Sequence, residues 1–449
     1  MTGVIKKLYK YLNDTSGVNA VIFALVLPAM MAAGGLAVDL ANAYNVKNKL
    51  GQALDKAALA TANSLGTQDE LTEIAKKFFY ANFDDDGLGT AATPIVTFTE
   101  TTVSVSASAS VDMLFMRVFG VDSLTVNGET EVTRELSGIE VVLVLDVTGS
   151  MAGSNITALK SASTDFLNIM FDRITDEELL KIGIVPYSSS VNVGPYGFGL
   201  DMDGAYYGSA FVDRPDSDEF KTPEDIEYDT SSNYDWHGCV LAEDYPADTE
   251  DNTTSGFEMY RYARECTRTR RGRCERYRSN PNYNCTSATV VPLTSDQVKL
   301  QSTIDNLPTG GHTYGNFGMV WGWRLISPEE PFVEGTAYDD PKWKKAVIMM
   351  TDGANTMHNW YSAYGKTSSH DISPNDLNER FEETCENMKE NDILIYTITF
   401  QSGVGDSTKA YYERCATSPT MYEHAPDDDR LISIFQGIAN QLSKLHISK

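Results

Sequence analysis

Two apolar stretches of the chain each end on an aspartate, and this arrangement suggests a cation site. Asp146 follows the run 141–145, and Asp352 follows the run 346–351. Continuous β-branched and apolar runs are typical of parallel strands that are covered on both faces. Because ligands of open parallel sheets collect at the carboxyl ends of the strands, we expect both carboxylates to lie at one edge of a sheet.

Hydroxyl side chains accompany the two carboxylates. Thr148 and Ser150 follow Asp146 at every second position, and Thr313 lies in a glycine turn between the two aspartates in sequence. Hard divalent cations prefer oxygen ligands, and Mg²⁺ takes six at about 2.1 Å while keeping several waters. The sequence therefore predicts a site for Mg²⁺, or for another hard cation such as Mn²⁺ or Ca²⁺, with one position left for water or a partner's carboxylate. The predicted metal residues are Asp146, Thr148, Ser150, Thr313 and Asp352.

The elements that must position these residues alternate between strand and helix patterns from residue 139 onward. Strands are expected at 139–147, 181–186, 289–293, 345–351 and 393–400, and helices at about 155–174, 295–306, 317–326, 374–391 and 427–445. This alternation predicts an α/β fold with a parallel, doubly wound, Rossmann-like sheet. Residues 195–288 interrupt the pattern, and we expect them to form a long insertion held by disulfides.

The cysteines favour an oxidising compartment. All six follow the amino-terminal apolar segment, and an even number of cysteines in an exported chain indicates disulfides. We expect Cys385 to pair with Cys415, because the two flank one late strand. The four earlier cysteines are expected to form two bridges among themselves, and three pairings remain open. They are Cys239, Cys266, Cys274 and Cys285.

The amino-terminal segment predicts a membrane anchor. Residues 20–38 carry no charge, and at about 1.5 Å per residue they nearly span a hydrocarbon core of roughly 30 Å. Three lysines, at positions 6, 7 and 10, precede this stretch, so the positive-inside rule places the amino terminus in the cytoplasm and the rest outside. A cleaved secretory signal is the alternative, although the apolar run is longer than usual for one. Both alternatives export the bulk of the chain.

Three regions are therefore expected along the chain. Residues 1–65 comprise a cytoplasmic tail, a transmembrane helix at about 18–38 and a helical stalk, which packs either on a partner helix or on its own downstream domain. Residues 66–138 form a small β-rich spacer, because apolar residues alternate with polar ones between about 92 and 137. Residues 139–449 form the α/β domain.

Charge and motifs exclude several classes of function. The 449-residue chain has 63 acidic and 36 basic residues, a net charge of -27, which argues against nucleic-acid binding. It lacks a phosphate-binding loop, a metalloprotease histidine pair and a nucleophile elbow, and no general base accompanies the metal residues, so we expect no enzyme. The arginine-rich stretch 261–278 either docks an anionic partner or is neutralised by the acidic stretch 201–251.

Three motifs in the second half of the chain resemble the metal-ion-dependent adhesion site of von Willebrand factor A domains. They are Asp-Val-Thr-Gly-Ser-Met at 146–151, Gly-Gly-His-Thr at 310–313 and Thr-Asp-Gly at 351–353. The resemblance covers residues 139–445. It implies direct ligation by the hydroxyls of Thr148, Ser150 and Thr313, with the two aspartates close by or acting through water. His312 stands where that family often has a second threonine.

A second resemblance concerns the amino terminus. The segments 14–25, 35–39 and 52–60 resemble TadE/TadG-like proteins of Flp (tight-adherence) pilus assembly, and residues 321–328 are similar to a stretch of TadG-like proteins that carry an A domain. The resemblance implies a single-pass bacterial inner-membrane protein with a periplasmic or extracellular bulk. We expect it to bind pilus-assembly proteins, or a surface ligand that donates a carboxylate, through the metal site. A structural scaffold of the pilus machine and a signalling ectodomain are the alternatives.

Overall fold

The chain divides into two compact units, Met1–Glu135 with Lys449, and Leu136–Ser448. A computed structural model describes residues 16–64, 67–83, 87, 89–99, 102–133, 137–174, 176–214, 223–232, 235–251, 256–260, 265–278, 282, 284–357, 361–366 and 372–446. The lysines at positions 6, 7 and 10, on which the predicted orientation depends, lie outside the described residues.

The first unit is built on one long helix. Helix α1, Ser16–Ala62, contains the charge-free stretch and continues well past it, which confirms the predicted helical stalk. In the described part of the chain, one helical segment, Val21–Ala62, is long and apolar enough to cross a membrane. Its amino-terminal apolar side chains are exposed, as a lipid-facing helix requires.

The stalk packs on its own downstream elements, the second of the two expected alternatives. Leu50 and Leu54 of α1 are buried in one cluster with Val103 and Val105 of a four-stranded antiparallel sheet. The elements around α1 are helix α2 (Gln68–Asn82) and strands β1 (Thr90–Ala91), β2 (Ile95–Phe98), β3 (Thr102–Asp112) and β4 (Ser123–Thr133). The sheet agrees with the period-two pattern, whereas α2 was not predicted.

The second unit contains a six-stranded sheet in the order β11-β6-β5-β12-β15-β16. Its strands are β5 (Gly138–Asp146), β6 (Leu180–Tyr187), β11 (Val291–Thr294), β12 (Trp343–Thr351), β15 (Leu394–Phe400) and β16 (Tyr422–Ala425). Its helices are α3 (Ser154–Arg173), α4 (Gln297–Asp305), α5 (Gly315–Ile326), α6 (Pro374–Glu390), α7 (Asp406–Cys415) and α8 (Asp428–Leu445). Helix α7 and strand β16 were not predicted.

Both faces of this sheet are covered, which confirms the doubly wound α/β fold. Val141 and Leu143 of β5 are buried in one cluster with residues of α3 and α8. Val142 and Val144, which point to the opposite face, are buried in a second cluster with residues of α5. The stretches 141–145 of β5 and 346–350 of β12 are therefore apolar and buried, as the unbroken runs in the sequence indicate.

Strand β11 departs from the predicted parallel pattern, because it pairs with β6 in the antiparallel sense. The reason lies in the insertion. The amide N–H of Val290 donates to the carbonyl oxygen of Asn192 (2.8 Å), so the insertion leaves and re-enters the sheet at the same edge. A neighbouring strand that starts at the carboxyl-terminal end of β6 must run antiparallel to it. A parallel neighbour would need a crossover connection back to the amino-terminal end of the sheet.

The insertion is closed by a disulfide between Cys239 and Cys285, and a second disulfide joins Cys385 to Cys415, as expected. Of the two bridges expected among the four earlier cysteines, one is therefore Cys239–Cys285, and the side chains of Cys266 and Cys274 lie outside the described part of the structure. Their segment forms a hairpin of β9 (Glu265–Arg270) and β10 (Arg273–Arg278). Short strand pairs complete this region, namely β7 (Val212–Asp213) with β8 (Phe257–Glu258) and β13 (Tyr361–Ser362) with β14 (Gly365–Lys366).

Candidate metal centre

Asp146 is the buried centre of the candidate site. It ends β5, and the N–H of Thr148 donates to its Oδ1 (2.9 Å). The hydroxyls of Tyr187 (3.1 Å) and Thr351 (2.9 Å) donate to its Oδ2. Burial raises the pKa of the Asp146 carboxyl. Both oxygens are already engaged by protein donors, so Asp146 fits a role in which it contributes negative charge and binds the ion through water.

Three further oxygen-bearing side chains meet beside Asp146. The hydroxyl oxygens of Thr148 and Ser150 lie 3.0 Å apart, and the Ser150 hydroxyl donates to Oδ1 of Asp352 (2.7 Å). Burial and the neighbouring Asp146 charge raise the pKa of Asp352 to about 6. Two carboxylates that disfavour each other's ionisation provide an electrostatic reason for a cation at this position.

The loop that carries the predicted fifth residue, Thr313, is held by hydrogen bonds of its backbone to the first motif and to Thr356, which follows the third motif. The N–H of Gly310 donates to the carbonyl oxygen of Val147 (2.9 Å), which holds the loop to the chain that leaves β5. Thr313 and Thr356 exchange two bonds, from the Thr313 N–H to the Thr356 hydroxyl (3.1 Å) and from the Thr356 N–H to the Thr313 carbonyl (2.9 Å). The three predicted motifs therefore converge at the carboxyl edge of the sheet.

A glycine fixes the path of the Thr313 loop. Gly311 has a φ of 81°, a left-handed conformation that favours glycine, and a Cβ there would lie 2.8 Å from the Ser189 hydroxyl. That hydroxyl accepts the N–H of His312 (2.8 Å), and the Gly311 carbonyl accepts the N–H of Gly149 (3.2 Å). Gly311 thus lets the loop pass close to both neighbouring segments. Burial lowers the pKa of His312.

Sequence reasoning missed the residues that support the site from behind. The Tyr187 hydroxyl lies within hydrogen-bonding distance of both the Asp146 carboxylate (3.1 Å) and the Met350 carbonyl (3.0 Å), but the predicted strand stopped one residue before it. Asn155 donates to the Ser150 carbonyl (3.3 Å) and accepts from Gln401 (2.9 Å), and it sits in α3 like any helix-surface asparagine. Only Thr351 carried a signal, since it stands directly before Asp352 at a strand end.

The oxygen donors of the site suit some metal ions better than others. Among the described residues, no group of three or more histidine, cysteine, aspartate or glutamate side chains is arranged to hold a metal. The site instead pairs two carboxylates with neutral hydroxyls, a set that suits a hard cation which keeps waters and few direct carboxylates. The residues therefore fit Mg²⁺.

Comparisons with known proteins bear first on the amino terminus. The sequence profile of the putative Flp pilus-assembly TadE/G-like family matches residues 17–64. This confirms the resemblance of that segment: the chain carries a TadE/G-like segment of a pilus-assembly family. A comparison with curated protein sequences finds no match.

Several solved structures are similar to this chain. The pilus adhesin SpaC from Lactobacillus rhamnosus GG matches with 12% identity and a TM-score of 0.38, over 81% of this chain and 36% of SpaC, so the chain spans only part of that protein's length. The vWF domain of the type V pili tip protein Mfa5 from Porphyromonas gingivalis matches with 10% identity and a TM-score of 0.39, over 70% of this chain and 97% of that domain. Proximal thread matrix protein 1 of the mussel byssus, with a zinc-occupied MIDAS motif, matches with 11% identity and a TM-score of 0.35, over 69% of this chain and 49% of that protein.

Proposed function

We propose that this protein is a membrane-anchored component of Flp pilus assembly that binds a protein or surface partner through a metal ion. The observation that carries the proposal is the hydrogen-bonded group of Thr148, Ser150 and Asp352 beside the buried Asp146. Two strand ends deliver these oxygens to one point, and the raised pKa of Asp352 indicates that a positive charge is favourable there.

The residues of the site have different proposed roles in binding Mg²⁺. Hydroxyls of Thr148, Ser150 and Thr313 are the proposed direct ligands, and Asp146 and Asp352 orient waters and balance the charge. Tyr187 keeps Asp146 in place from within the core. The bound ion would supply a positive charge with one position open to a carboxylate of the partner. Hydroxyl ligands leave more of that charge uncompensated than carboxylate ligands would, so the partner's carboxylate is attracted more strongly.

The proposed architecture follows the expected division of the chain. Residues 1–65 provide the cytoplasmic tail, span and stalk, residues 66–138 the spacer, and residues 139–449 the A domain with its insertion at 195–288. The disulfides Cys239–Cys285 and Cys385–Cys415 support export of the bulk of the chain to the periplasm or cell exterior. The anchor would lie in the bacterial inner membrane with its amino terminus in the cytoplasm.

Capture of pilus-assembly proteins tests this function directly. We expect tagged full-length protein, isolated from its membrane in mild detergent, to retain such a partner with Mg²⁺ and to release it with EDTA. Ser150→Ala should lose the partner in both buffers, because its hydroxyl is a proposed ligand. Ser302→Ala removes an exposed hydroxyl on α4 and should behave as wild type. Capture that survives both EDTA and Ser150→Ala would contradict metal-dependent binding and favour the scaffold alternative.

The metal-free chain should show a characteristic pH dependence. Because the pKa of Asp352 is raised from 3.8 to about 6, the folded chain binds more protons than the unfolded chain between those values. Its free energy of unfolding should therefore fall as the pH rises from about 4 to about 6. Above about pH 6, Asp352 is ionised in both states and should cause no further change. Urea unfolding in EDTA at a series of pH values measures this loss.

The affinity for Mg²⁺ should depend on pH in the opposite direction, rising as the pH rises to about 6. Protons compete with the ion for Asp352, so Mg²⁺ affinity should be constant above pH 6 and fall by about tenfold per pH unit below it. Asp352→Asn has no carboxyl at this position, so the metal-free loss between pH 4 and 6 should shrink in that variant. An unchanged urea profile in Asp352→Asn would show that another group titrates.

A further inference from the structure

We infer that the segment 114–121, here called the collar loop, inserts into the lipid bilayer beside α1 at the end of the membrane span. The inference rests on the proposed anchoring of the chain by α1. It adds a second membrane contact, made by the folded part of the first unit. The ligand of this surface is the acyl and interfacial region of the leaflet that faces the folded units.

The collar loop exposes an unusual density of large apolar side chains. The exposed fractions are 64% for Leu114, 46% for Phe115, 83% for Val118, 55% for Phe119 and 43% for Val121. Single exposed apolar residues are ordinary on soluble proteins, but a contiguous group marks an interaction surface. Five within eight residues therefore require an apolar environment.

The loop is fastened to α1 at one defined place. The Asp39 carboxylate is buried and accepts the N–H groups of Leu114 (3.0 Å), Phe115 (3.0 Å) and Met116 (2.7 Å). Phe115 also lies against Gly35, where a Cβ would come within 2.4 Å of the phenylalanine Cβ. The glycine permits this close approach, and the aspartate consumes backbone donors that would otherwise be costly in lipid.

This attachment sets the depth of the loop. The charge-free stretch runs from 20 to 38, so Gly35 lies inside it and Asp39 is the first charge beyond it. The two are separated by about 6 Å along the helix axis. A loop held at both residues lies across the boundary between the hydrocarbon and the headgroups.

The apolar surface of the loop is continuous with that of the anchor, which favours lipid as the occupant. Leu36, Val38 and Leu40 of α1 are exposed by 40%, 45% and 51%, directly beside the point where the loop attaches. A bilayer that surrounds α1 up to residue 38 necessarily reaches the loop. The same bilayer would therefore cover the exposed apolar side chains of α1 and of the collar loop.

Polar groups on the loop suit an interfacial position. Arg117 lies within the short helical turn Met116–Phe119 and pairs with Asp122 (3.4 Å), and both side chains are largely exposed. A long basic side chain can bury its methylenes while its guanidinium reaches the headgroups. Interfacial segments combine an apolar face with such basic residues. The collar loop would thus fix the depth of α1 and hold the first unit against the membrane.

Quenching of tryptophan fluorescence by lipids brominated on their acyl chains tests the inference on the full-length protein in vesicles. Val118→Trp places the probe on the collar loop, at a position exposed enough to accept it. Met30→Trp, in the middle of the charge-free stretch, reports whether α1 spans the bilayer. Ile95→Trp is the matched control, because Ile95 is 65% exposed in the same unit. Its partner in β3, Ser106, lies about 20 Å along that strand from Asp112.

The signal of the added indole is the difference between each variant and the unsubstituted chain. We expect the brominated lipid to remove most of that signal for Met30→Trp and Val118→Trp and little of it for Ile95→Trp. Quenching of Met30→Trp without quenching of Val118→Trp overturns the collar loop while leaving the anchor intact. If Val118→Trp also resists aqueous iodide, a second copy or another protein covers the loop. If Met30→Trp is not quenched, the proposed anchor fails, and the collar loop with it.

Discussion

Mg²⁺ should raise the melting temperature of the wild-type protein and leave that of Asp352→Asn unchanged. An ion that binds only the folded chain stabilises it by about 2.7 kcal/mol at one hundred times its dissociation constant, which for a domain of this size is roughly 5 °C. Asparagine keeps the shape of Asp352 and can still accept the Ser150 hydroxyl at Oδ1, so the variant should fold. Thermal unfolding of the full chain in Mg²⁺ and in EDTA measures the difference.

The choice of position matters for this experiment. Asp146 accepts three protein donors, and an amide there would turn hydrogens toward the hydroxyls of Tyr187 and Thr351. Substitution of Asp146 therefore mixes loss of metal with loss of fold, whereas Asp352→Asn separates them. Asp172→Ala with Asp339→Ala removes two exposed acidic side chains elsewhere in the domain and should retain the full Mg²⁺ response. A wild-type-sized response in Asp352→Asn would contradict its role at the site.

Removing one partner of a buried ion pair near the amino-terminal ends of the two strands that carry the site should destabilise the domain strongly. Glu140 of β5 and Lys345 of β12 face each other in register and form an ion pair in which both side chains are buried. Burial lowers the pKa of Lys345, whereas the Glu140 charge raises it. The same two strands end on Asp146 and lead to Asp352, so this pair ties together the strands that carry the site carboxylates.

Glu140→Gln should lower the free energy of unfolding by about 3–5 kcal/mol, because it leaves the Lys345 ammonium buried without its counter-charge. Glu140→Leu with Lys345→Met should recover only part of that loss, because Glu140 also pairs with Lys181 (3.2 Å) and accepts the N–H and the hydroxyl of Thr336. Urea unfolding in EDTA measures both values without a contribution from metal. Glu423→Gln breaks an exposed ion pair with Arg430 and should cost no more than about 1 kcal/mol. Equal effects at the two positions would contradict the argument from burial.

The sequence allowed much of the second unit to be predicted, because its central strands contain unbroken apolar runs. Strands β5 and β12 agree with prediction to within two residues at each end. Helix α7 escaped prediction, since its sequence is mostly polar and its buried residues are few. The antiparallel direction of β11 was not predicted either, because it is set by an insertion whose two ends meet at the carboxyl-terminal end of β6. No local pattern records such a contact.

Some residues of the candidate site could also be predicted from the sequence, whereas others could not. The carboxylates and hydroxyls of the first and third motifs stood at strand ends, so the direction of the chain alone brought Asp146 and Asp352 together. Tyr187 could not be recognised, because its contact with Asp146 depends on the register between β6 and β5. For the first unit, the alternation of apolar residues predicted the sheet, whereas the fastening of residues 114–116 to Asp39 is a tertiary contact between distant segments.

The position of a bound cation decides whether these residues form a metal site. Crystals of the protein soaked in Mn²⁺, which replaces Mg²⁺ and scatters anomalously, locate the ion independently of any functional assay. We expect one strong peak at about 2 Å from the hydroxyl oxygens of Thr148, Ser150 and Thr313, with Asp146 and Asp352 around it. A fully soaked crystal with no peak between these residues, or with its strongest peak elsewhere, would contradict this prediction.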